Sequence, residues 1–183
     1  MSVWLGKIIC GVDLRNYGSK STGATNSFRV LGTEIGIFIL IFDILKGIII
    51  PITGSLLNYK FSNVEILWLG LYSVIGHIFP IFCGLRGGKG VSTIFGLFCF
   101  LSPFGSLLAL GCFLITLLST KMVSLSSIIA SISLPIFCYL THPSEPLFYV
   151  SGIFVPILII LTHKKNIKRI ILNEEPKINL DFF

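Results

Sequence analysis

Residues 90–118 read GVSTIFGLFCFLSPFGSLLALGCFLITLL. A single apolar helix over all of them is long for one crossing, and Pro103 would break it near the middle. Two pieces, at about 1.5 Å of rise per residue, are each short against a hydrocarbon core of about 30 Å. One crossing or two decides on which side everything downstream lies, and charge chooses between them. Let the loop with Arg15, Lys20 and Arg29 be cytoplasmic. Segment 33–52 then leads out to a loop holding only Lys60, and segment 64–82 returns to Arg86 and Lys89. Two crossings put Lys121 inside, leave the 141–145 loop without Lys or Arg outside, and bring Lys164, Lys165, Lys168, Arg169 and Lys177 back inside. With Lys7, all but Lys46 and Lys60 of the 14 cations then face the cytoplasm. One crossing instead sets Lys121 and the tail opposite the first two basic loops. The positive-inside bias selects two crossings.

Working outward, the apolar segments are 33–52, 64–82, 90–101, 103–118, 122–140 and 146–162, with a mixed segment before them and a basic, then acidic, tail after 163. The expected fold is all-α: a polytopic helical membrane protein with six membrane segments, forming one integral-membrane domain over 1–183. A mean hydropathy of +0.93 with 12% charged residues and 16 Phe excludes a soluble globular chain, which could not cover that much apolar surface. The net charge of +6 sits in inter-helix loops rather than along a stripe, so nucleic acid is not an expected partner. The five cysteines stand singly in or beside apolar runs, with no CxxC or Cys/His spacing, so neither a disulfide nor a metal is expected. The N-terminus lacks the pattern of a signal peptide, and no tandem repeat is present.

Three polar loops carry the chemistry, and the topology above places all three on the cytoplasmic face. The first, DLRNYGSKSTGATNSFRVLG (13–32), has Gly18 and Gly23 for tight turns and close approach. Ser19, Ser21, Thr22, Thr25 and Asn26 supply donors, and Arg29 a fork suited to phosphate oxygens. A helix start nearby adds free N–H groups that favour an anion. The second, GHIFPIFCGLRGGKGVST (76–93), sets Gly84, Gly87, Gly88 and Gly90 around Arg86 and Lys89, again like a phosphate cradle. It is not a Walker A sequence: Cys83 stands where the leading Gly belongs, and Gly90 where Ser or Thr should follow the Lys. His77 stands at the membrane boundary beside Pro80. In the third, THKKNIKRIILNEEPK (162–177), His163 and Asn166 are one helical turn apart. Lys164 and Lys165 read as topology charges, and Glu174 and Glu175 as a solvated acidic pair. Within FDILKG, Asp43 and Lys46 share a helical face inside an apolar run. They either neutralise each other or line a substrate site.

Together these loops resemble the acyl-phosphate:glycerol-3-phosphate acyltransferase family of bacterial phospholipid synthesis. The resemblance lies in GSKSTGATNSFRVLG, GHIFPIFCGLRGGKGVST and HKKNIKR, with FDILKG as a fourth element, in order along nearly the whole chain. It implies transfer of a fatty acyl group from acyl phosphate to the 1-position of glycerol 3-phosphate. The products would be lysophosphatidic acid and phosphate, in the first step of phospholipid synthesis. No cofactor and no metal is implied. Glycerol 3-phosphate, acyl phosphate and membrane lipid are the expected partners, and the location a bacterial inner (plasma) membrane, crossed several times, with the active site cytoplasmic. By the same resemblance, Ser19, Arg29 and Lys89 serve the glycerol 3-phosphate phosphate with Asn26 in support, Ser19 counts with His163 and Asn166 as catalytic, and Thr25 belongs to substrate binding. His77 and the glycines Gly87, Gly88 and Gly90 belong to substrate binding, with backbone N–H groups meeting the acyl phosphate. His163 and Asn166 position the hydroxyl or stabilise the tetrahedral oxyanion.

Acyl phosphate is already activated, so no Ser/His/Asp triad is required. A substrate phosphate oxygen can take the proton, and a His base is the other option. The chain departs from the family at Lys20 and Ser21, where the family more often has Gly-Asn. The family also has seven spans, the first before the 13–32 loop. Only MSVWLGKIICGV precedes Asp13 here, too short to cross, so the first span is expected to be missing and the start to lie further upstream. The rival expectation is a small membrane anion or phosphate transporter. Such a protein places its site near the bilayer midplane, often between repeats, whereas the polar groups here gather on one face.

Overall fold

A computed structural model describes residues 1–178, and the side chains of all of these except 50, 55, 149 and 152. The chain breaks inside 90–118. Helix α5 (Val91–Leu101) ends at Ser102, whose backbone is non-helical, and α6 (Pro103–Thr120) starts with the proline in its first turn. Proline has no N–H to lose there and its φ suits a helix start, so the residue that would break a long helix begins a new one. No strand occurs among the described residues. They form two compact units divided at that break, Met1–Phe100 and Leu101 onward.

The first unit holds α1 (Ser2–Cys10), a 3-10 turn at Leu14–Asn16, α2 (Ala24–Leu31), α3 (Thr33–Leu56), α4 (Asn63–Ile78), a second 3-10 turn at Ile81–Cys83, and most of α5. The start of α4 is fixed by a capping box: Ser62 Oγ accepts from the Glu65 N–H while the Glu65 carboxylate accepts from the Ser62 N–H at 2.8 Å. α3 and α5 approach backbone to backbone. A methyl at Gly47 would strike the Thr93 carbonyl, and one at Gly96 the Ile44 carbonyl, so this crossing uses the small residues by which membrane helices pack. Ile39 of α3, Leu67 and Val74 of α4, and Leu97 and Phe98 of α5 are buried in this unit's core.

The second unit holds α6, α7 (Val123–Thr141), α8 (Pro146–Thr162) and α9 (Lys164–Ile171). α6 and α7 pack closely at Gly105, where a Cβ would lie 3.0 Å from the Cys138 Sγ, and Ser106 and Ala109 of α6 and Ser127 and Ser131 of α7 are buried. Ser126 and Ser127 return their hydroxyls to carbonyls four residues back at 2.8 Å, so α7 buries them without orphaned donors. Prolines 51, 135 and 156 lie inside helices that persist through them, a tolerance expected of membrane helices. The apolar boundaries match expectation within a few residues, except that α3 runs on to Leu56. By length and hydropathy, Asn63–Cys83, α6 and α7 can each cross a bilayer, as can α8 and α9 if that bent pair is one span; α5 is shorter. Large apolar residues such as Ile115, Leu118, Ile153 and Phe154 stay exposed, the surface a bilayer would cover.

Candidate active site

The first loop is built around one side chain. The Asn26 carboxamide, 1% exposed, donates to the carbonyls of Leu14, Tyr17 and Ser21 at 3.3, 3.1 and 2.8 Å, and its oxygen accepts from the Ser19 N–H at 2.9 Å. The loop curls round it through the positive φ of Gly18 and Lys20. A Cβ on Gly18 would run into the Asn26 oxygen, so glycine is required there. The result presents Ser19 and Arg29 outward, both exposed, with Thr25 half-buried in the first turn of α2.

Two contacts tie this loop to the second. Arg15, gripping Asp13 at 2.6 and 2.9 Å, donates to the Cys83 carbonyl at 3.2 Å. A Cβ on Gly23 would lie 3.8 Å from the Gly88 Cα. The guanidinium beside Asp13 holds that carboxyl well below the usual carboxylate range. The second loop folds back over the end of α4: Gly87 N–H donates to the Ile78 carbonyl at 3.1 Å and Gly88 N–H to the His77 carbonyl at 3.2 Å. These amides serve the loop's own fold, which changes the expected picture of glycine N–H groups turned to a ligand. The glycines are needed for contact instead: a Cβ at Gly88 would collide with the His77 imidazole, and one at Gly87 with the His77 carbonyl.

Under this fold lies a cavity of about 320 Å³ lined by Thr22, Asp43, Lys46, Ser73, His77 and Cys83, among others. The buried Asp43 carboxylate accepts from Lys46 Nζ at 2.7 Å and faces His77 Nδ1 at 3.4 Å. Lys46 also lies 5.1 Å from the centre of the Phe42 ring, and its carbonyl accepts from Ser73 Oγ at 2.9 Å. Asp43 and Lys46 therefore pair with each other, as the first expectation has it, and both line this cavity. A carboxylate only accepts, so the proton on His77 belongs on Nδ1.

The second unit carries the other group. α9 leaves α8 at 68°, and His163 sits at the corner, 1% exposed, with Nδ1 2.8 Å from the Ile159 carbonyl. A carbonyl cannot donate, so in the neutral ring Nδ1 carries the hydrogen and Nε2 the lone pair. Asn173, at a φ of 57°, turns the chain back after α9. Glu175 thereby accepts from Asn166 Nδ2 at 2.6 Å and from Arg169 Nε at 2.7 Å. Burial by itself would raise the Glu175 pKa; the hydrogen bonds from Arg169 and Asn166 and the guanidinium charge outweigh it and hold the carboxyl below its ordinary value. Among the described residues, no His, Cys, Asp and Glu side chains group closely enough to hold a metal.

Residues 1–173 match the family model described as glycerol-3-phosphate acyltransferase. The chain belongs to the glycerol-3-phosphate acyltransferase family. It is 44% identical over 96% of its length to a glycerol-3-phosphate acyltransferase of Fusobacterium nucleatum, covering 89% of that relative. It is 38% identical to one of Bacillus subtilis, covering 95% of this chain and 88% of that relative. Its fold is similar to the crystal structure of PlsY, an integral membrane glycerol 3-phosphate acyltransferase, in its glycerol 3-phosphate form. There the TM-score is 0.85 at 35% identity, over 97% of this chain and 90% of that one. The lysophosphatidic acid form gives a TM-score of 0.83.

In this acyltransferase the expected residues fall into two sets. Ser19, Thr25, Asn26, Arg29, His77, Gly87, Gly88, Lys89 and Gly90 all lie in the first unit's two loops or beside its cavity, and His163 and Asn166 lie at the corner of the second unit. Glu175 departs from expectation: it is buried and paired, while Glu174 is exposed as a solvated acid should be. The structure adds Arg15, Asp13 and Arg169 to the residues that organise the acyltransferase's loops. Asp13 and Arg15 stand two residues apart and could have been paired from sequence. The reach of Arg15 to residue 83 could not.

Proposed function

We propose that this protein transfers a fatty acyl group from acyl phosphate to the 1-hydroxyl of glycerol 3-phosphate, at the cytoplasmic face of a bacterial inner membrane. The observation that carries the proposal is the match to PlsY over 97% of the chain, in a glycerol 3-phosphate form and a lysophosphatidic acid form. Those two compounds are the acceptor and the product of one acyl transfer. The hydroxyl oxygen bonds to the acyl carbonyl carbon, and the bond from that carbon to the phosphate oxygen breaks. The hydroxyl proton ends on a phosphate oxygen, so the activated donor supplies both leaving group and base. The protein then has to hold two anions side by side against their repulsion and orient the hydroxyl.

Ser19, Arg29 and Lys89 are the groups assigned to the phosphate of glycerol 3-phosphate and Thr25 to substrate binding, with Asn26 fixing the loop that bears Ser19, Thr25 and Arg29. His77 belongs to substrate binding beside the Asp43–Lys46 pair. Gly87, Gly88 and Gly90 let the second loop close over it. His163 and Asn166 are assigned to orienting the hydroxyl or stabilising the oxyanion. Two crossings by 90–118 put all but two of the 14 cations inside, which supports the cytoplasmic face.

The test uses purified protein in lipid with radiolabelled glycerol 3-phosphate, offered palmitoyl phosphate or palmitoyl-CoA. Labelled lysophosphatidic acid with palmitoyl phosphate alone is the expected result. Product only with palmitoyl-CoA would overturn the donor. Folded protein silent with both would overturn the reaction and direct attention to anion transport.

A further inference from the structure

We infer that α9 is an interfacial helix whose exposed face, Lys164, Lys165 and Lys168, binds the anionic headgroups of a phospholipid bilayer. Topology alone asks only that these cations be on the correct side of the membrane. The structure gives them a direction. α8 is 17 nearly unbroken apolar residues, about 25 Å at the helical rise. α9 departs from it at 68°. Where α8 stands along the membrane normal, α9 lies nearer the membrane plane than the normal.

The division of α9 into faces is unusual for a helix in water. Its polar groups with fixed partners turn inward: Asn166 is buried, and Arg169 is held on Glu175. Outward stand the three lysines together with Ile171 at 74% and Leu172 at 52% exposure. Water would favour the reverse for the two apolar residues. At a bilayer surface the arrangement is the stable one, because Ile171 and Leu172 enter the acyl boundary while lysine stems run outward to lipid phosphates. Arg169 and Glu175 neutralise each other, so the face is left cationic and selects an anionic lipid over a zwitterionic one. The strap after α9 fixes this orientation: Glu174 N–H donates to the Arg169 carbonyl at 2.7 Å and Ile178 N–H to the Lys121 carbonyl at 2.8 Å, so α9 cannot rotate freely about its axis.

The full chain is reconstituted in nanodiscs of phosphatidylcholine alone and of phosphatidylcholine with phosphatidylglycerol, and backbone hydrogen exchange is followed over 164–172. Exchange there is expected to slow roughly tenfold with the anionic lipid, and the difference to shrink in high salt. K164Q/K165Q/K168Q should abolish the lipid dependence, and the corresponding triple Lys→Arg variant should keep it. Amides of α7 in the same spectra report whether each variant is folded. Equal exchange of the wild type in the two lipids would overturn the inference, as would a lipid dependence that persists in the folded glutamine variant. Neither result bears on acyl transfer, which is measured separately.

Discussion

Asn26 and Ser19 share one loop and one hydrogen bond, yet substitution should separate them. Asn26 spends its amide on four backbone groups; removing it takes the partner from the Ser21 carbonyl and the Ser19 N–H, while the Leu14 and Tyr17 carbonyls keep the N–H groups of Tyr17 and Lys20. Asn26→Ala should therefore cost about 2–4 kcal/mol of stability, read as a clear drop in Tm. Ser19 contributes only its N–H to the loop, and its exposed side chain is not part of that scaffold. Ser19→Ala should leave Tm unchanged while the acyl-transfer rate falls at least tenfold; an unchanged rate would remove Ser19 from the site. Gly88 is tested the same way. A methyl there displaces the His77 imidazole, whereas a methyl at Gly111 meets nothing within 4 Å. Gly88→Ala should lose activity with the protein still folded, and Gly111→Ala should behave as wild type or gain slightly in stability.

At the scale of elements, the 163–178 segment is held by Glu175, and pH reveals it. Its folded pKa lies below the ordinary 4.5, so its contribution is complete above that value and is lost as pH falls through the folded pKa. Glu175→Gln should cost about 1–3 kcal/mol of stability at pH 7, read as a lower Tm. The gap from wild type should begin to shrink as pH drops below 4.5 and should vanish only once pH has fallen past the folded pKa, where both side chains are neutral. A gap that stays constant with pH would mean that packing, not charge, holds the strap. The elements themselves were largely legible in the sequence. Long apolar runs interrupted by polar loops leave little freedom in where helices lie, and Pro103 after Ser102 marks a start that hydropathy alone would blur. The strap was not legible. Glu175 beside Glu174 in a charged tail looks solvated, and only the turn at Asn173 brings it back onto Asn166. The α3–α5 crossing was also hidden, because Gly47 and Gly96 become necessary only once their helices meet. In the site, residue types were readable from chemistry and family resemblance, whereas their division between ligand and scaffold, as for Asn26, Gly87 and Gly88, depended on where each amide points.

For the molecule as a whole, the decisive question is the one residues 90–118 posed, because the crossing number fixes the side of every later loop. Two crossings keep the loops of Arg29, Lys89 and His163 in one compartment, which a reaction between two water-borne phosphate headgroups demands. One crossing would strand His163 and Asn166 across the bilayer from Ser19, and the acyl-transfer proposal would fall with it. The break at Ser102 and the membrane-length α6 favour two, although α5 alone is only 11 residues. Single cysteines decide the matter. Asn58→Cys and Ser144→Cys lie in the loops assigned outside, and Lys165→Cys in the tail assigned inside. An impermeant maleimide added to intact cells should label the first two well above wild-type background. Lys165→Cys should react only after the membrane is opened. Labelling of Lys165→Cys in intact cells, with Ser144→Cys protected, would show that 90–118 crosses once.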